Sequence, residues 1–190
     1  TYTFNSPGGF PDYPKYSIWD NEYIITANVG SSDIFALNRT SLLAGTAASA
    51  QMFTMGNFGT IGFQAATPVS LNGTTLPPAG APAMVMRMRD DAWSGSATDA
   101  LEIWNVDIDW STPSNSSMTQ DIVLNMNNPF DSELCGFTSF SCIDQPGSST
   151  NLDPLREVLM NRIHYRNFGT HESMVCCHVP DVSGNDDAGV

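Results

Sequence analysis

Positive charge is scarce in this chain: Lys15 is its sole lysine, and 7 Lys+Arg face 20 Asp+Glu over 190 residues, a formal net charge of -13. Such a surface repels a phosphate backbone, so nucleic acid is excluded as a partner. Long apolar runs are missing as well. No stretch approaches the roughly 18 residues of a membrane-crossing helix, and no membrane span is expected. The sequence opens on Thr1 without a charged-then-apolar leader and stops at Val190, and it reads as a processed or incomplete chain of an exported protein. It also lacks a Gly-rich phosphate loop leading into a helix, a Gly-x-Ser-x-Gly elbow and a Ser-His-Asp grouping. Most soluble metabolic chemistries are thereby removed.

What is present is turn chemistry. Charged residues make up only 14% of the chain, and 15 Gly and 12 Pro punctuate short apolar runs in Asn/Ser/Thr/Asp-rich sequence, an all-β composition. Three stretches, 14–29, 82–110 and 159–179, share one plan: an alternating strand, a polar turn with acidic residues, and a second alternating strand. Hairpins recurring at that interval predict a single β-propeller-like domain, 1–190, of about three antiparallel blades at 12–66, 67–126 and 127–190. Three blades do not close a ring, so the expectation is part of a larger propeller or edges covered by neighbouring chains. Strands are predicted from Tyr16, at Tyr23 to Val29, Asp33 to Leu37, Gln51 to Met55, Ile61 to Ala65, Met84 to Arg89, Trp104 to Trp110 and Gln120 to Met126. Asn38 to Leu43 reads as one helical turn ended by Gly45, and Asp153-Pro154 as the start of another running to Glu157.

Cys135 and Cys142 bracket a short polar loop and are expected to form a disulfide, whereas one of the adjacent Cys176 and Cys177 is expected to pack inward. His164, His171 and His178 fit no standard zinc spacing with Cys176 or Cys177, so no metal centre is assigned to them. Asp181, Asn185, Asp186 and Asp187 offer either a structural Ca2+ loop or ordinary turn chemistry, and no other cofactor is expected. Asn38, Asn72 and Asn115 each open a glycosylation triplet. Trp93, in the Asp-Asp-Ala-Trp-Ser-Gly loop, is a candidate ligand platform, while Trp104 and Trp110 alternate with polar residues and read as core. Arg89 either faces an acidic ligand or pairs with an acidic loop, and His171 stands beside Glu172 as an orienting neighbour or as its partner in a turn.

The phrases DYPKYSIWDNEYIITAN, DDAW, LEIWNVDIDW, LCGFTSFSCIDQPG and LDPLREVLMNRIHYRNFGTHES together resemble a group of uncharacterised secreted bacterial surface proteins of β-propeller type. That resemblance implies an extracellular or cell-surface location. More distantly, the layout is similar to propeller glycosidases of the arabinanase and xylosidase type, which set one acidic residue on each of three blades. The resemblance implies Asp12, Asp90 or Asp91, and Glu172 in those roles, with Trp93 stacking on the sugar. The function expected is a secreted module that binds or cleaves carbohydrate. The alternative is a structural or adhesive protein that assembles with copies of itself through strand edges, without catalysis. Converging carboxylates discriminate the first; scattered carboxylates and open strand edges discriminate the second.

Overall fold

The structure, a computed structural model, describes residues 1–29, 32–56, 65–94, 98–132, 134–135, 141–154 and 158–181, excluding the side chains of 32, 93 and 94. Its first sheet is an antiparallel meander of β1 (Asp12–Ile18), β2 (Glu22–Asn28), β3 (Ser32–Asn38) and β4 (Ala50–Met55). Asp20 and Asn21 turn β1 into β2, and the Trp19 N–H closes the turn on the Glu22 carbonyl at 2.9 Å. Between β3 and β4 lies α1 (Arg39–Ala44). The Asn38 side chain accepts the Ser41 N–H at 2.9 Å, and Gly45 ends the turn at φ 70°, as the sequence predicts.

The second sheet contains β5 (Thr67–Asn72), β6 (Ala83–Arg89), β7 (Ala100–Asp107), β8 (Ser117–Asn125), β9 (Ile163–Asn167) and β10 (Glu172–Val175), in spatial order β10-β9-β5-β6-β7-β8. Helix among the described residues is limited to α1, α2 (Asp91–Ser94) and one 3-10 turn at Pro113–Asn115, so the all-β expectation holds. The three-sector division does not describe the hydrogen bonding. β9 and β10, assigned to a third blade, continue the sheet of the second through parallel pairing of β9 with β5. β5 is absent from the predicted strands because Thr-Pro-Val-Ser-Leu-Asn has weak strand propensity. It is held by a change of partner: Thr67 and Pro68 pair with β6, and Val69 to Asn72 pair with β9, so Pro68, lacking an N–H, lies where the ladder switches sides. The predicted strand at 61–65 and the helical turn at 153–157 fall mainly outside the described residues.

The core lies between the two sheets and is built from Trp19, Ile24, Ile34, Val69, Val85, Met88, Val106 and Ile163, all at most 1% exposed. Each contributes about 1.5–3 kcal/mol on burial. Trp19 anchors the sheets to each other: its indole N–H donates to the Ala81 carbonyl at 3.1 Å, and its ring meets that of Tyr165 at 4.9 Å. Trp104 and Trp110 pack against this core as expected, their indole N–H groups donating to Glu102 and Glu22.

Candidate functional site

Asp90, Asp91 and Asp99 bracket the connection from β6 to β7. Asp90, fully buried, accepts the Ser132 N–H and hydroxyl, both at 2.7 Å, and the Ala92 N–H at 2.8 Å. Asp99, 2% exposed, accepts the Asp91 N–H at 2.8 Å and the Phe130 N–H at 2.7 Å. These two carboxylates tie the connection to the segment after β8. Asp91 is exposed, and desolvation followed by the charges of Asp99, Asp90 and Asp131 pushes its carboxyl upward. One oxygen of each of the three lies within 4.8 Å of the others, a spacing a hard cation can bridge. Among the described residues Asp90 accepts three hydrogen bonds and Asp99 two, so the buried pair is already engaged in holding the backbone, while the exposed Asp91 is the carboxylate most open to solvent.

The other sequence candidates lie elsewhere. Asp12, exposed at the start of β1, accepts the N–H of the next residue, Tyr13, at 2.8 Å, a local side-chain-to-backbone bond. Glu172 opens β10 and accepts the Tyr165 hydroxyl at 2.7 Å. Burial, then the bond and charge of Glu172, raise that phenol above its ordinary value. The strand registers set Asp91 and Glu172 apart. Asp91 lies beyond the Arg89–Ala100 pair, at the end of the sheet where β5 begins; Glu172 pairs with Asn167, past the end where β5 stops. At about 3.3 Å per residue the offset along the strands is on the order of 30 Å, whereas glycoside cleavage requires roughly 5 to 10 Å. The structure therefore brings Asp90 and Asp91 together and leaves Glu172 at the far end.

Arg89 donates to Glu102 at 3.4 Å and to the Thr98 carbonyl at 3.3 Å, so it joins the acidic partner rather than an open site. His171 stacks on Phe168 at 4.9 Å and its Nδ1 lies 3.1 Å from the Thr170 hydroxyl. The Trp93 side chain and residues 185–187 lie outside what is described, and Asp181 pairs with Asp131 in an isolated bridge. The Cys135–Cys142 disulfide is present. In the chain-entropy account a loop of this length is worth about 2.5 kcal/mol. Cys176 is half-buried against the core and burial raises its thiol, while Cys177 is exposed.

Two features escape a reading of the sequence. The first is the edge position of β8: the strand predicted at Gln120 to Met126 is present as Ser117–Asn125, and it lies at the end of its sheet. The second is the outer face of the first sheet, where Tyr16, Ile25, Phe35 and Met52 form one cross-strand row and Ile18, Tyr23, Leu37 and Ala50 a second. In β1 the usual pattern is inverted: Lys15 and Ser17 are 5% and 4% exposed, facing the core, while Tyr16 and Ile18 are 62% and 45% exposed. A bulge between Asp12 and Lys15, with Tyr13 at φ 52°, precedes this stretch. The only signal in the sequence is that strands β1 to β3 carry apolar residues at both parities, which does not say which set faces out. No family model, curated protein or solved structure matches the chain.

Proposed function

We propose that this protein is an exported all-β module that works by association at its surface, the free edge of β8 pairing with a strand of a second copy. The observation that carries this is the composition and exposure of β8. Among the described residues no strand pairs with its outer side. Its sole charge is Asp121, and the consecutive Ile122, Val123 and Leu124 are 42%, 36% and 45% exposed, so both faces of its end are open. A long apolar edge with unpaired N–H and C=O groups is a template for strand addition. The bulge opposite Ile103 and Trp104 leaves Asp121 as the extra residue, the one local guard on that edge. A disulfide fits an oxidising, extracellular compartment. The first sheet is a four-stranded antiparallel meander, a strand count that supports the propeller reading, and edge pairing extends such sheets.

Cleavage by Asp12, Asp91 and Glu172 is set aside, because the register separates two of the three. Carbohydrate binding without cleavage is the rival reading for the outer face of the first sheet, where the rings of Tyr16 and Phe35 offer stacking surfaces. For the edge, sedimentation velocity of the wild type and of an Ile122→Lys/Leu124→Lys variant over micromolar to millimolar concentrations is the test. Dimers or larger species in the wild type and monomers in the variant are expected. A wild type that stays monomeric throughout the range refutes the proposal.

A further inference from the structure

We infer that the groove over the outer face of the first sheet binds a single-chain anionic amphiphile, a carboxylate whose acyl tail lies on the apolar rows and whose head meets Arg162. This stands apart from the β8 edge. The floor is formed by the two cross-strand rows, and the wall by the N-terminal segment carrying Phe4, Pro7 and Pro11. That segment is pinned at two points. The Tyr2 hydroxyl donates to the Thr46 carbonyl at 2.9 Å, and Gly8 sits so close to Val29 that a Cβ there would meet its Cγ1 at 2.8 Å. Two cavities of about 430 and 590 Å³ share Tyr16, Ile25 and Leu37, so the groove runs on past β1 to Ser70 and Arg162. Four strands spaced ~4.8 Å apart give the row from Tyr16 to Met52 a span of about 14 Å, the reach of a medium-length acyl chain.

Charge selects the occupant. The chain has 20 acidic residues, yet among the described residues neither cavity is lined by one, and the single charge in the linings is Arg162. Its guanidinium donates to the Ser70 hydroxyl at 3.2 Å and, among the described residues, has no carboxylate partner. Arg39 lies 5.9 Å from the ring of Tyr23 at the same end and, among the described residues, also has no carboxylate partner, although it donates to the Asp20 carbonyl at 2.8 Å. An apolar trough closing on arginines in an otherwise anionic surface complements a molecule with an apolar body and one anionic end. The inversion of β1, which places Tyr16 and Ile18 outside and Lys15 and Ser17 inside, supplies the trough its floor.

The test is calorimetric titration of the full chain with sodium decanoate below its micellar range, with decanol as the uncharged counterpart and Arg162→Gln and Arg162→Lys as variants. Arg162 is exposed, so neither variant disturbs the core. Saturable decanoate binding is expected, weakened about tenfold by Arg162→Gln, largely kept by Arg162→Lys, with decanol binding unchanged in both. The inference is overturned if decanoate does not saturate, if decanoate and decanol bind the wild type equally, or if Arg162→Gln weakens both alike. Displacement of decanoate by a neutral oligosaccharide also overturns it, and reassigns the groove to a glycan.

Discussion

Replacing Lys15 by methionine is expected to stabilise the fold at neutral pH and to lose that effect as the pH climbs. The ammonium faces the core on β1, 5% exposed, without a hydrogen-bond partner among the described residues, 3.6 Å from the centre of the Tyr13 ring. Burial alone lowers this amine from its ordinary 10.5 to about 8. At ~1.4 kcal/mol for each tenfold in acidity, the charged form is penalised in the fold by about 3 kcal/mol. The contact with Tyr13 returns about 1 kcal/mol, leaving about 2 kcal/mol against the native state at pH 7. The sign follows from proton binding. Between about 8 and 10.5 the unfolded chain holds the proton that the folded chain has released, so stability rises with pH across that window and the penalty is constant below it. Methionine keeps the length of the aliphatic stem and carries no charge. Urea unfolding followed by tryptophan fluorescence at pH 7 and pH 10 reads the difference: a gain of about 2 kcal/mol for Lys15→Met at pH 7 that shrinks toward zero at pH 10. A loss of stability at pH 7, or a gain equal at both pH values, refutes the reasoning.

Glu102→Gln is expected to cost about 3 kcal/mol, because it leaves the guanidinium of Arg87 buried without the carboxylate it now meets at 2.8 Å, and a midpoint in urea indistinguishable from wild type would contradict this. Asp109 accepts the Ser111 hydroxyl at 2.6 Å, the Thr112 N–H at 2.8 Å and the Asn115 amide at 3.1 Å, in that order of effect lowering its carboxyl to about 2. A carboxyl depressed on folding contributes stability above about pH 4 that disappears as the pH falls toward 2. Thermal unfolding should therefore show Asp109→Ala melting below wild type at pH 5, with the gap closing near pH 2.

Local chemistry was legible where it is decided locally. Asn38 and Gly45 cap a helical turn because one side chain and one left-handed residue suffice, and β6 and β7 show period-2 patterns because their partners are adjacent in the chain. The parallel pairing of β5 with β9 was not legible, since it joins residues 69 and 163 and depends on a strand with a proline and weak propensity. Nor was the distribution of the candidate acids. Asp12 and Glu172 open strands and Asp91 follows one, which is why their spacing along the chain resembles a three-blade arrangement, but Asp12 belongs to the first sheet, and Asp91 and Glu172 flank opposite ends of the second.

The sharpest disagreement between pattern and fold is also where the groove lies, in β1. Read by alternation, Tyr16 and Ile18 belong to the core and Lys15 and Ser17 to the solvent; the structure has them reversed. The two placements are not independent, because a strand that turns one set of side chains outward must turn the other inward. The cost falls on Lys15, buried without a hydrogen bond among the described residues, and the result is an aromatic and aliphatic floor beside Arg162. Sites that break the local rules of a fold are where function is expected to compensate. The pH dependence of Lys15→Met measures the cost on the inner face, and decanoate binding measures what the outer face gains. If Lys15→Met stabilises the chain while decanoate fails to bind, the inversion of β1 has a cost without a ligand, and the free face must be covered by protein instead.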